Sequence, residues 1–291
     1  MDTSSKTVGA ILDLGEKYLV DCAVSEARLK CEMLLARLLG VPRLELHLRR
    51  DTLLRESQLQ AMRRALKRLR ECEPIQYVIG ETGFMHHVFK TDQRALIPRP
   101  ETEVLVSQVL QDSQLWQREC PRIVDVGTGS GCIILSLAAA HPDAHYLATD
   151  MSEKALALAK ENAEKLQLQD HVLFYAGDLE DVVEPEMLDA IVANLPYIPS
   201  RDVDALDREV REYEPRMALD GGEEGLDVIA DLIADATIVL KNQGRIFLEI
   251  GAEQGAAVQT LLQDSGFQNI EVLKDLQRRD RVVCATLASM L

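Results

Sequence analysis

The feature that most constrains the fold of this chain is an alternation of short apolar strands with amphipathic helices, which begins at residue 121. Strands are predicted at 122–126, 144–149, 172–176, 189–193 and 244–250, and helices at 132–140, 152–167, 224–240 and 253–265. Such alternation predicts an α/β fold with a parallel sheet covered on both faces. Two further strand-like runs, 270–274 and 281–287, predict a closing hairpin at the sheet edge whose last strand is antiparallel.

The N-terminal part of the chain predicts a small helical domain over residues 1–74. Residues 25–39 carry apolar side chains at helical spacing, with Ser25 as the predicted N-cap and Gly40 as the terminating residue. A second helix is predicted over 57–72, and one of its faces is basic through Arg63, Arg64, Lys67, Arg68 and Arg70. That face is either solvated or a docking surface for an acidic partner.

A change of pattern after Pro74 separates the helical part from the α/β part. Residues 75–98 are predicted to form a β-hairpin linker, with Gly80 and Gly83 at its turns. The α/β domain then extends over residues 99–291.

Composition excludes several classes of protein. Hydrophobic residues make up 47% of the 291 residues and charged residues 27%, which is typical of a globular chain and not of a disordered one. Residues 1–80 hold 14 basic and 11 acidic residues, whereas the rest of the chain holds 18 basic and 37 acidic ones. Tight, sequence-independent nucleic-acid binding requires clustered Lys and Arg, so we expect none in the acidic part.

The sequence also predicts the cellular compartment of the protein. No run approaches the ~18 uninterrupted apolar residues of a membrane span, and the first residues lack the pattern of a secretory signal. The six cysteines are scattered without CxxC pairs, which predicts reduced thiols and no metal site. We therefore expect a cytoplasmic protein without a membrane segment.

A glycine-rich turn follows the first predicted strand of the sheet and precedes a helix. The turn comprises Gly127, Thr128, Gly129, Ser130 and Gly131, and its glycines allow a ligand to approach the backbone. The spacing is Gly-x-Gly-x-Gly, shorter than the Gly-x-Gly-x-x-Gly that seats a pyrophosphate on a helix N-terminus. It suits a ligand without phosphates, such as the amino-acid end of S-adenosylmethionine, although other Rossmann-type ligands stay open.

Two acidic positions support the hypothesis that a nucleoside-containing ligand such as S-adenosylmethionine binds beside the glycine-rich turn. Asp150 ends the second strand, 23 residues after Gly127, where a carboxylate reaches ribose hydroxyls. The alternative for Asp150 is an N-cap of the following helix, a role that Ser152 can fill by itself. After the third strand, Asp178 and Leu179 offer an acceptor for the adenine amino group and an apolar contact for the ring.

The fourth strand runs into Asn194-Leu195-Pro196-Tyr197, the segment predicted to carry the chemistry. Asn194 supplies a side-chain carbonyl acceptor, Leu195 a backbone carbonyl, and Pro196 stiffens the turn. Tyr197 offers a flat wall for a planar group. These features suit orientation of an amide-like NH₂ toward a methyl donor, whereas the alternative is an ordinary strand-end turn.

The segment 194–197 resembles the Asn-Pro-Pro-Tyr motif of methyltransferases that modify planar nitrogens. Together with four other strings the chain, over about residues 20–291, resembles the HemK/PrmC family of protein-(glutamine-N5) methyltransferases. These strings are Gln76-Tyr77, Ile97-Pro98-Arg99-Pro100-Glu101-Thr102-Glu103, Tyr213-Glu214-Pro215 and Glu249-Ile250-Gly251.

The resemblance implies a Rossmann-like class I fold that uses S-adenosyl-L-methionine, with a seven-stranded, mostly parallel sheet. It implies that the substrate is the glutamine of the Gly-Gly-Gln motif in peptide chain release factors, with Arg99 and Glu101 beside it. The N-terminal helical domain would then recognise that substrate.

Leu195 departs from the family, which usually has proline at this position. The departure bears on rate or substrate more than on the type of reaction, because Leu keeps the backbone carbonyl. Two alternatives stay open: an adenine-N6 methyltransferase acting on DNA or RNA, which would need a basic groove for a flipped base, and a non-catalytic scaffold with the cofactor fold.

Overall fold

The computed structural model describes residues 6–179 and 181–289, and the chain forms two compact units. The helical unit comprises residues 6–80 together with Arg208–Tyr213, and the α/β unit comprises 81–207 and 214–289.

The helices and strands, in chain order, define the labels used below. The helices are α1 (Val8–Asp21), α2 (Ala27–Leu39), α3 (Glu56–Arg70), α4 (Ile75–Ile79), α5 (Thr102–Gln111), α6 (Ser113–Trp116), α7 (Cys132–Ala140), α8 (Glu153–Leu166), α9 (Ser200–Val203), α10 (Arg208–Tyr213), α11 (Asp227–Val239) and α12 (Gly255–Asp264). The strands are β1 (Glu81–Phe84), β2 (His87–Lys90), β3 (Arg122–Val126), β4 (His145–Asp150), β5 (Val172–Ala176), β6 (Leu188–Ala193), β7 (Leu240–Glu249), β8 (Phe267–Lys274) and β9 (Asp280–Leu287). Short 3₁₀ turns lie at Arg43–Arg49 and Arg216–Ala218.

The helical unit packs α1, α2 and α3 around one apolar core. Gly40 ends α2 in the left-handed conformation, as predicted. The prediction of Ser25 as N-cap is wrong, because Glu26 adopts a left-handed turn and occupies the cap position itself. The short helix α10 belongs to this unit through an ion pair between Glu209 and buried Lys30, and through a 2.7 Å hydrogen bond from the Tyr213 hydroxyl to the carbonyl of Glu71.

The segment predicted as a β-hairpin linker is only partly β. Strands β1 and β2 form the antiparallel hairpin, but residues 75–79 form the helix α4, so the prediction is wrong there. Pro74 precedes the first turn of α4, a position that suits its fixed φ. The guanidinium of Arg68 donates to the carbonyls of Tyr77 and Val78 at the other end, at 3.1 and 3.3 Å.

In the described part of the α/β unit, the main sheet has seven strands in the order β5-β4-β3-β6-β7-β9-β8. Neighbours from β5 to β7 are parallel, and β9 is antiparallel to both β7 and β8. The seven-stranded, mostly parallel sheet with an antiparallel last strand is therefore confirmed. The last strand lies inside the sheet, with β8 at the edge.

Helices cover both faces of this sheet. Residues of α5, α7 and α8 pack on one face, and residues of α11 and α12 pack on the other. Strand order reverses between β3 and β6, which lie side by side although β4 and β5 come between them in the chain. In open α/β sheets, ligands bind beyond the carboxyl ends of the strands at such a switch point.

Candidate active site

A cavity of about 440 Å³ lies in the α/β unit, beyond the carboxyl ends of β3, β4 and β6. Its volume lies in the range that holds small ligands and cofactors. Most predicted site residues line it, namely Arg99, Gly127, Thr128, Gly129, Ser130, Asp150, Asp178, Leu179, Asn194, Leu195 and Pro196. Gly131, Glu101 and Tyr197 do not.

The glycine-rich turn needs backbone that other residues rarely adopt. Gly127 and Gly129 have φ values of 71° and 57°. A Cβ atom on Gly127 would also lie 3.0 Å from Cδ2 of Leu195, so the turn and the 194–197 segment approach each other closely here. Gly131 has a positive φ as well, 80°, and a Cβ there would also lie 3.2 Å from Cβ of Ala159, so Gly131 is in addition a packing position between α7 and α8.

Asp125 lies beneath this turn and received no role from the sequence. It is completely buried at the end of β3, and Oδ2 accepts a 2.7 Å hydrogen bond from the Thr128 hydroxyl. Burial raises the pKa of Asp125 to about 7, and within the described chain Oδ1 has no hydrogen-bond partner. The sequence signal for Asp125 is an acidic residue within the apolar run 123–126, directly before the glycine-rich turn.

Asp150 accepts hydrogen bonds from two backbone donors, one after the neighbouring strand β3 and one after its own strand β4. Its Oδ2 accepts from the Gly129 N–H at 2.9 Å, and its Oδ1 accepts from the Ser152 N–H at 2.8 Å. Ser152, and not Asp150, is the N-cap of α8, since its hydroxyl accepts from the Ala155 N–H. A carboxylate has about four acceptor positions, so two stay available on the cavity side.

Asp178 and Leu179 follow β5 and contribute contrasting surfaces to the cavity wall. Asp178 is exposed, whereas the Leu179 side chain is buried in the apolar core. An acid beside an apolar side chain is the pairing predicted for an adenine ring and its amino group.

The side chain of Asn194 has a defined orientation in the structure. Its Nδ2 donates to Oγ1 of Thr102 at 3.2 Å, which leaves Oδ1 as the acceptor directed away from Thr102. Thr102 is the first residue of α5, is buried, and also lines the cavity. The sequence gave no local signal for this contact, because the two residues are 92 positions apart.

The next residues of this segment have different surroundings. Leu195 is 7% exposed and packs into the apolar core beside the glycine-rich turn. The Tyr197 hydroxyl donates to Oε1 of Glu249 at 3.4 Å, and Nη1 of Arg281 lies 3.4 Å from the same hydroxyl. Burial raises the pKa of Tyr197 to about 12. A flat wall formed by Tyr197 stays a prediction.

Glu249 ends β7 and is the most unusual acid in this region. It is 2% exposed, and burial raises its pKa to about 7. In the described chain its Oε2 has no hydrogen-bond partner. A buried carboxyl oxygen without a hydrogen-bond partner costs free energy, so such a group is often found at a functional site.

Arg99 reaches the cavity from the segment before α5. Its guanidinium is ion-paired with buried Glu214, whose Oε2 accepts from the Ile97 N–H at 3.1 Å. Glu101 precedes α5 outside the cavity wall, where its charge contributes to the raised pKa of Glu249.

Neither a metal-binding cluster nor a membrane-spanning helix is present among the described residues. Residues 6–179 and 181–289 contain no group of three or more His, Cys, Asp and Glu side chains that could hold a metal ion. No described helix is both long and apolar enough to cross a membrane.

Comparisons with known proteins give consistent matches. The PrmC N-terminal domain matches residues 10–80, and the methyltransferase small domain matches residues 100–210. The chain is 41% identical to a release factor glutamine methyltransferase of Moorella thermoacetica, covering 94% of this chain and 96% of that protein. It is 37% identical to one of Thermodesulfovibrio yellowstonii, covering 87% and 90% respectively. A methyltransferase structure from Pyrococcus furiosus, at 16% identity, covers 69% of this chain and 89% of its own with a TM-score of 0.52, which shows the shared fold.

Proposed function

Because this chain belongs to the release factor glutamine methyltransferase family, we infer that it transfers a methyl group from S-adenosyl-L-methionine to the side-chain amide nitrogen of a glutamine in peptide chain release factors. The fold is that of a class I S-adenosylmethionine-dependent methyltransferase, in agreement with the matched methyltransferase domain and sheet order. The resemblance to the HemK/PrmC family is confirmed.

The single observation that carries the proposal is the orientation of Asn194. Its amide group donates to Thr102, so its carbonyl oxygen is the atom available to a ligand in the cavity. A substrate carboxamide NH₂ needs acceptors of this kind, because it has two N–H donors and a lone pair delocalised into its carbonyl.

The cavity also fits the proposed cofactor. Gly127 and Gly129 let a ligand approach the backbone, Asp150 retains acceptor positions for a ribose diol, and Asp178 with Leu179 suits adenine. When bound, S-adenosyl-L-methionine supplies an electrophilic methyl group on a sulfonium.

The chain itself contributes position and charge stabilisation. Asn194 Oδ1 and the backbone carbonyl of Leu195 would accept from the glutamine NH₂ and stabilise the positive charge that develops on nitrogen. Pro196 restricts the backbone of the turn that carries them. Such alignment lowers barriers by ~7–11 kcal/mol in favourable cases, which removes the need for a strong base.

We propose that the helical unit recognises the release factor as a whole. A Gly-Gly-Gln motif offers little surface, so a second contact away from the cavity is required. In the basic cluster of α3, Arg63, Arg68 and Arg70 form ion pairs with Glu56, Glu73 and Glu71, which reduces the net charge of that face. Arg64 and Lys67 project from the same exposed face.

Reversing the charge of this face tests the recognition proposal. The double substitution Arg64→Glu with Lys67→Glu is expected to raise the apparent KM for an intact release factor several-fold, through slower and more salt-dependent association. The KM for a short Gly-Gly-Gln peptide should not change. An equal effect on both substrates would remove this face from substrate recognition.

The charges at the cavity disfavour the nucleic-acid alternative. Its described walls carry aspartates at 150, 178, 220, 231 and 235, while the arginines Arg94 and Arg99 are both ion-paired. A phosphate backbone requires available cations, and these walls would repel it. With a release factor as its substrate, we propose that the protein acts in the cytoplasm, where translation takes place.

Methyl transfer from labelled cofactor tests the function directly. The acceptors are a purified release factor, the same factor with its Gly-Gly-Gln glutamine changed to alanine, and double-stranded DNA. Label should appear on the first acceptor alone. Label on DNA, or equal label on the alanine variant, would overturn the proposal.

A further inference from the structure

We propose that the side-chain amide of Gln254, a residue outside the cavity wall, holds the backbone of the segment 194–197 in the conformation that methyl transfer requires. This inference rests on the proposed function, in which the Asn194 side chain and the Leu195 backbone carbonyl accept hydrogen bonds from the substrate NH₂. Gln254 is a positioning residue in this account, because it acts through the backbone and does not have to touch the substrate.

Gln254 directly precedes α12 and links three loops of the α/β unit. Its Nε2 donates to the backbone carbonyl of Tyr197 at 2.9 Å and to that of Gly225 at 3.0 Å. Its Oε1 accepts from the N–H of Gly251, just after β7, at 2.8 Å. One side chain therefore joins the segment 194–197, the end of β7 and the glycine turn, the name used below for residues 219–225.

The three partners determine the orientation of the Gln254 amide. A backbone carbonyl only accepts and a backbone N–H only donates, so both amide protons are directed to the carbonyls of Tyr197 and Gly225. A reversed amide would place its oxygen against two carbonyl oxygens and its NH₂ group against the N–H of Gly251. The observed orientation is thus the one that satisfies all three backbone groups.

The glycine turn holds the chain directly after Tyr197. Residues 198–200 lie alongside this turn, and Ile198 and Asp220 form a parallel bridge. Three backbone N–H groups donate across the pairing: Ile198 to Leu219 at 3.1 Å, Gly221 to Ile198 at 2.9 Å, and Ser200 to Gly222 at 2.8 Å. The Gln254 amide therefore reinforces a backbone contact that already exists.

This contact is close enough to require glycine. A Cβ atom on Gly225 would lie 2.3 Å from the carbonyl oxygen of Tyr197, and one on Gly221 would lie 2.6 Å from that of Pro196. Both distances are far shorter than a van der Waals contact between carbon and oxygen. The turn therefore packs directly on the backbone of the segment 194–197.

The backbone carbonyl of Leu195 lies between two anchors in the chain. On one side, the Asn194 side chain donates to Thr102 at 3.2 Å. On the other side, the Tyr197 carbonyl is bound by Gln254, and the ring of Pro196 between them fixes one further torsion. Loss of the Gln254 donors would release the second anchor. Misaligned acceptors should slow the transfer step more than they weaken cofactor binding.

Substitution of Gln254 separates its donors from its acceptor. Gln254→Met has a side chain of similar length without donors, and it should lower kcat for a Gly-Gly-Gln peptide about tenfold, the scale of one or two lost hydrogen bonds. Gln254→Glu keeps an acceptor for the Gly251 N–H but loses both donors, so its kcat should fall at least as far. Affinity for S-adenosyl-L-methionine, measured by calorimetry, should stay within about twofold in both variants.

The matched control is Gln243→Met. Nε2 of Gln243 also donates to a backbone carbonyl, that of Leu287 at 3.5 Å, but Gln243 lies outside the cavity wall and precedes the long apolar run of β7. Its kcat should equal that of wild type. Wild-type kcat in Gln254→Met or in Gln254→Glu would overturn the proposal, as would a tenfold loss of cofactor affinity that accompanies the loss of kcat.

A pair of glycine substitutions tests the contact with the Tyr197 carbonyl independently. Gly225 and Gly266 have φ values of 74° and 84°, so alanine is strained at both positions. A Cβ on Gly225 meets the Tyr197 carbonyl, whereas one on Gly266 meets no heavy atom within 4 Å. Gly225→Ala should lower kcat at least tenfold, and Gly266→Ala should leave it within about twofold of wild type. Equal kcat in the two variants would contradict the proposed contact.

Hydrogen exchange measures the anchor without any substrate. In the full chain, deuterium uptake by peptides that cover residues 194–200 and 219–225 should be faster in Gln254→Met than in wild type, because the backbone pairing opens more often. Uptake over β4, and uptake everywhere in the segment 194–200 of Gln243→Met, should match wild type.

These results separate the proposal from the function on which it rests. A wild-type protein that methylates no glutamine would overturn the function, whatever the exchange rates are. Unchanged uptake over residues 194–200 in Gln254→Met would overturn the positioning role of Gln254 even in an active enzyme.

Discussion

The acids that end β4 and β7, Asp150 and Glu249, are both placed at the cavity edge of the sheet, but their surroundings differ. Asp150 accepts hydrogen bonds from two backbone N–H groups within 2.9 Å. Glu249 is nearly inaccessible, and its Oε1 has a long contact to a side chain 52 residues away. The proposed cofactor side of the cavity thus relies on backbone donors, and the proposed chemical side on side chains of distant segments.

This difference suits the two tasks. Binding a ribose requires a carboxylate of fixed orientation. Two backbone N–H groups donate to Asp150 and hold its carboxylate in place. Orienting an amide requires a definite direction of each hydrogen bond, and on the proposed chemical side this direction depends in part on the side chain of Asn194 and its contact with Thr102. The chemical side should therefore respond more strongly to pH and to single substitutions.

The largest expected effect is on the chemical side. Asn194→Ala should lower turnover on the release factor by about 10²–10³, as for loss of one oriented polar group at a reacting centre. Affinity for the cofactor, measured by calorimetry, should stay within several-fold. The matched control is Asn242→Ala, an exposed asparagine of β7. Single-turnover transfer as fast as wild type would show that Asn194 does not orient the amide.

The second-largest expected effect is on the free energy of unfolding, and it tests the carboxyl group of Glu249 alone. A carboxyl group whose pKa is raised on folding, here from 4.5 to about 7, destabilises the fold as pH rises through that interval. Glu249→Gln should therefore unfold at the same urea concentration as wild type near pH 4.5 and be more stable by about 3 kcal/mol above pH 7. Asp125 has a raised pKa too, but it is present in both proteins and cancels in the comparison. A stability difference that does not vary with pH would contradict the buried, titrating carboxyl.

On the cofactor side, Asp150→Ala should weaken binding of S-adenosyl-L-methionine by ~2–3 kcal/mol, the scale of lost hydrogen bonds to a charged group. Turnover at saturating cofactor should change much less, because Asp150 does not contact the amide. Asp170→Ala removes an exposed acid and serves as control. Unchanged affinity in Asp150→Ala would exclude Asp150 from the cofactor site.

The smallest effect is expected at Leu195, where the two sides of the cavity meet. Leu195→Pro keeps the backbone carbonyl, so turnover on the release factor should stay within several-fold of wild type. Its buried side chain fills space beside Gly127, and the substitution should therefore cost some stability. A large loss of turnover with intact folding, judged by circular dichroism, would show that the side chain itself takes part in the chemistry.

The same contrast explains how much the sequence could predict. The bounds of β3, β5 and α7 agree with the predictions to the residue, because apolar runs and glycines mark them locally. The helix α4 was missed because five residues carry too little periodicity, and its C-terminal carbonyls are satisfied by Arg68 from another helix. Likewise the cavity positions of Gly127 and Asp150 follow from local patterns.

The partners of the chemical side could not be predicted in this way. The motif strings contain both Thr102 and Glu249, but neither string shows that these side chains meet Asn194 and Tyr197. Contacts between residues 92 and 52 positions apart depend on the order of strands in the sheet. Asp125 shows the same limit, since only the completed fold shows that it is fully buried with an unpaired oxygen.

The most direct measurement of the central claim is the position of the transferred methyl group. A release factor incubated with the full-length protein and S-adenosyl-L-methionine is digested, and fragmentation mass spectrometry locates the added CH₂. The account predicts that it lies on the side-chain amide of the Gly-Gly-Gln glutamine, and that the Asn194→Ala enzyme leaves that peptide almost unmodified. A methyl group on any other residue, or equal modification by the Asn194→Ala enzyme, would contradict the account.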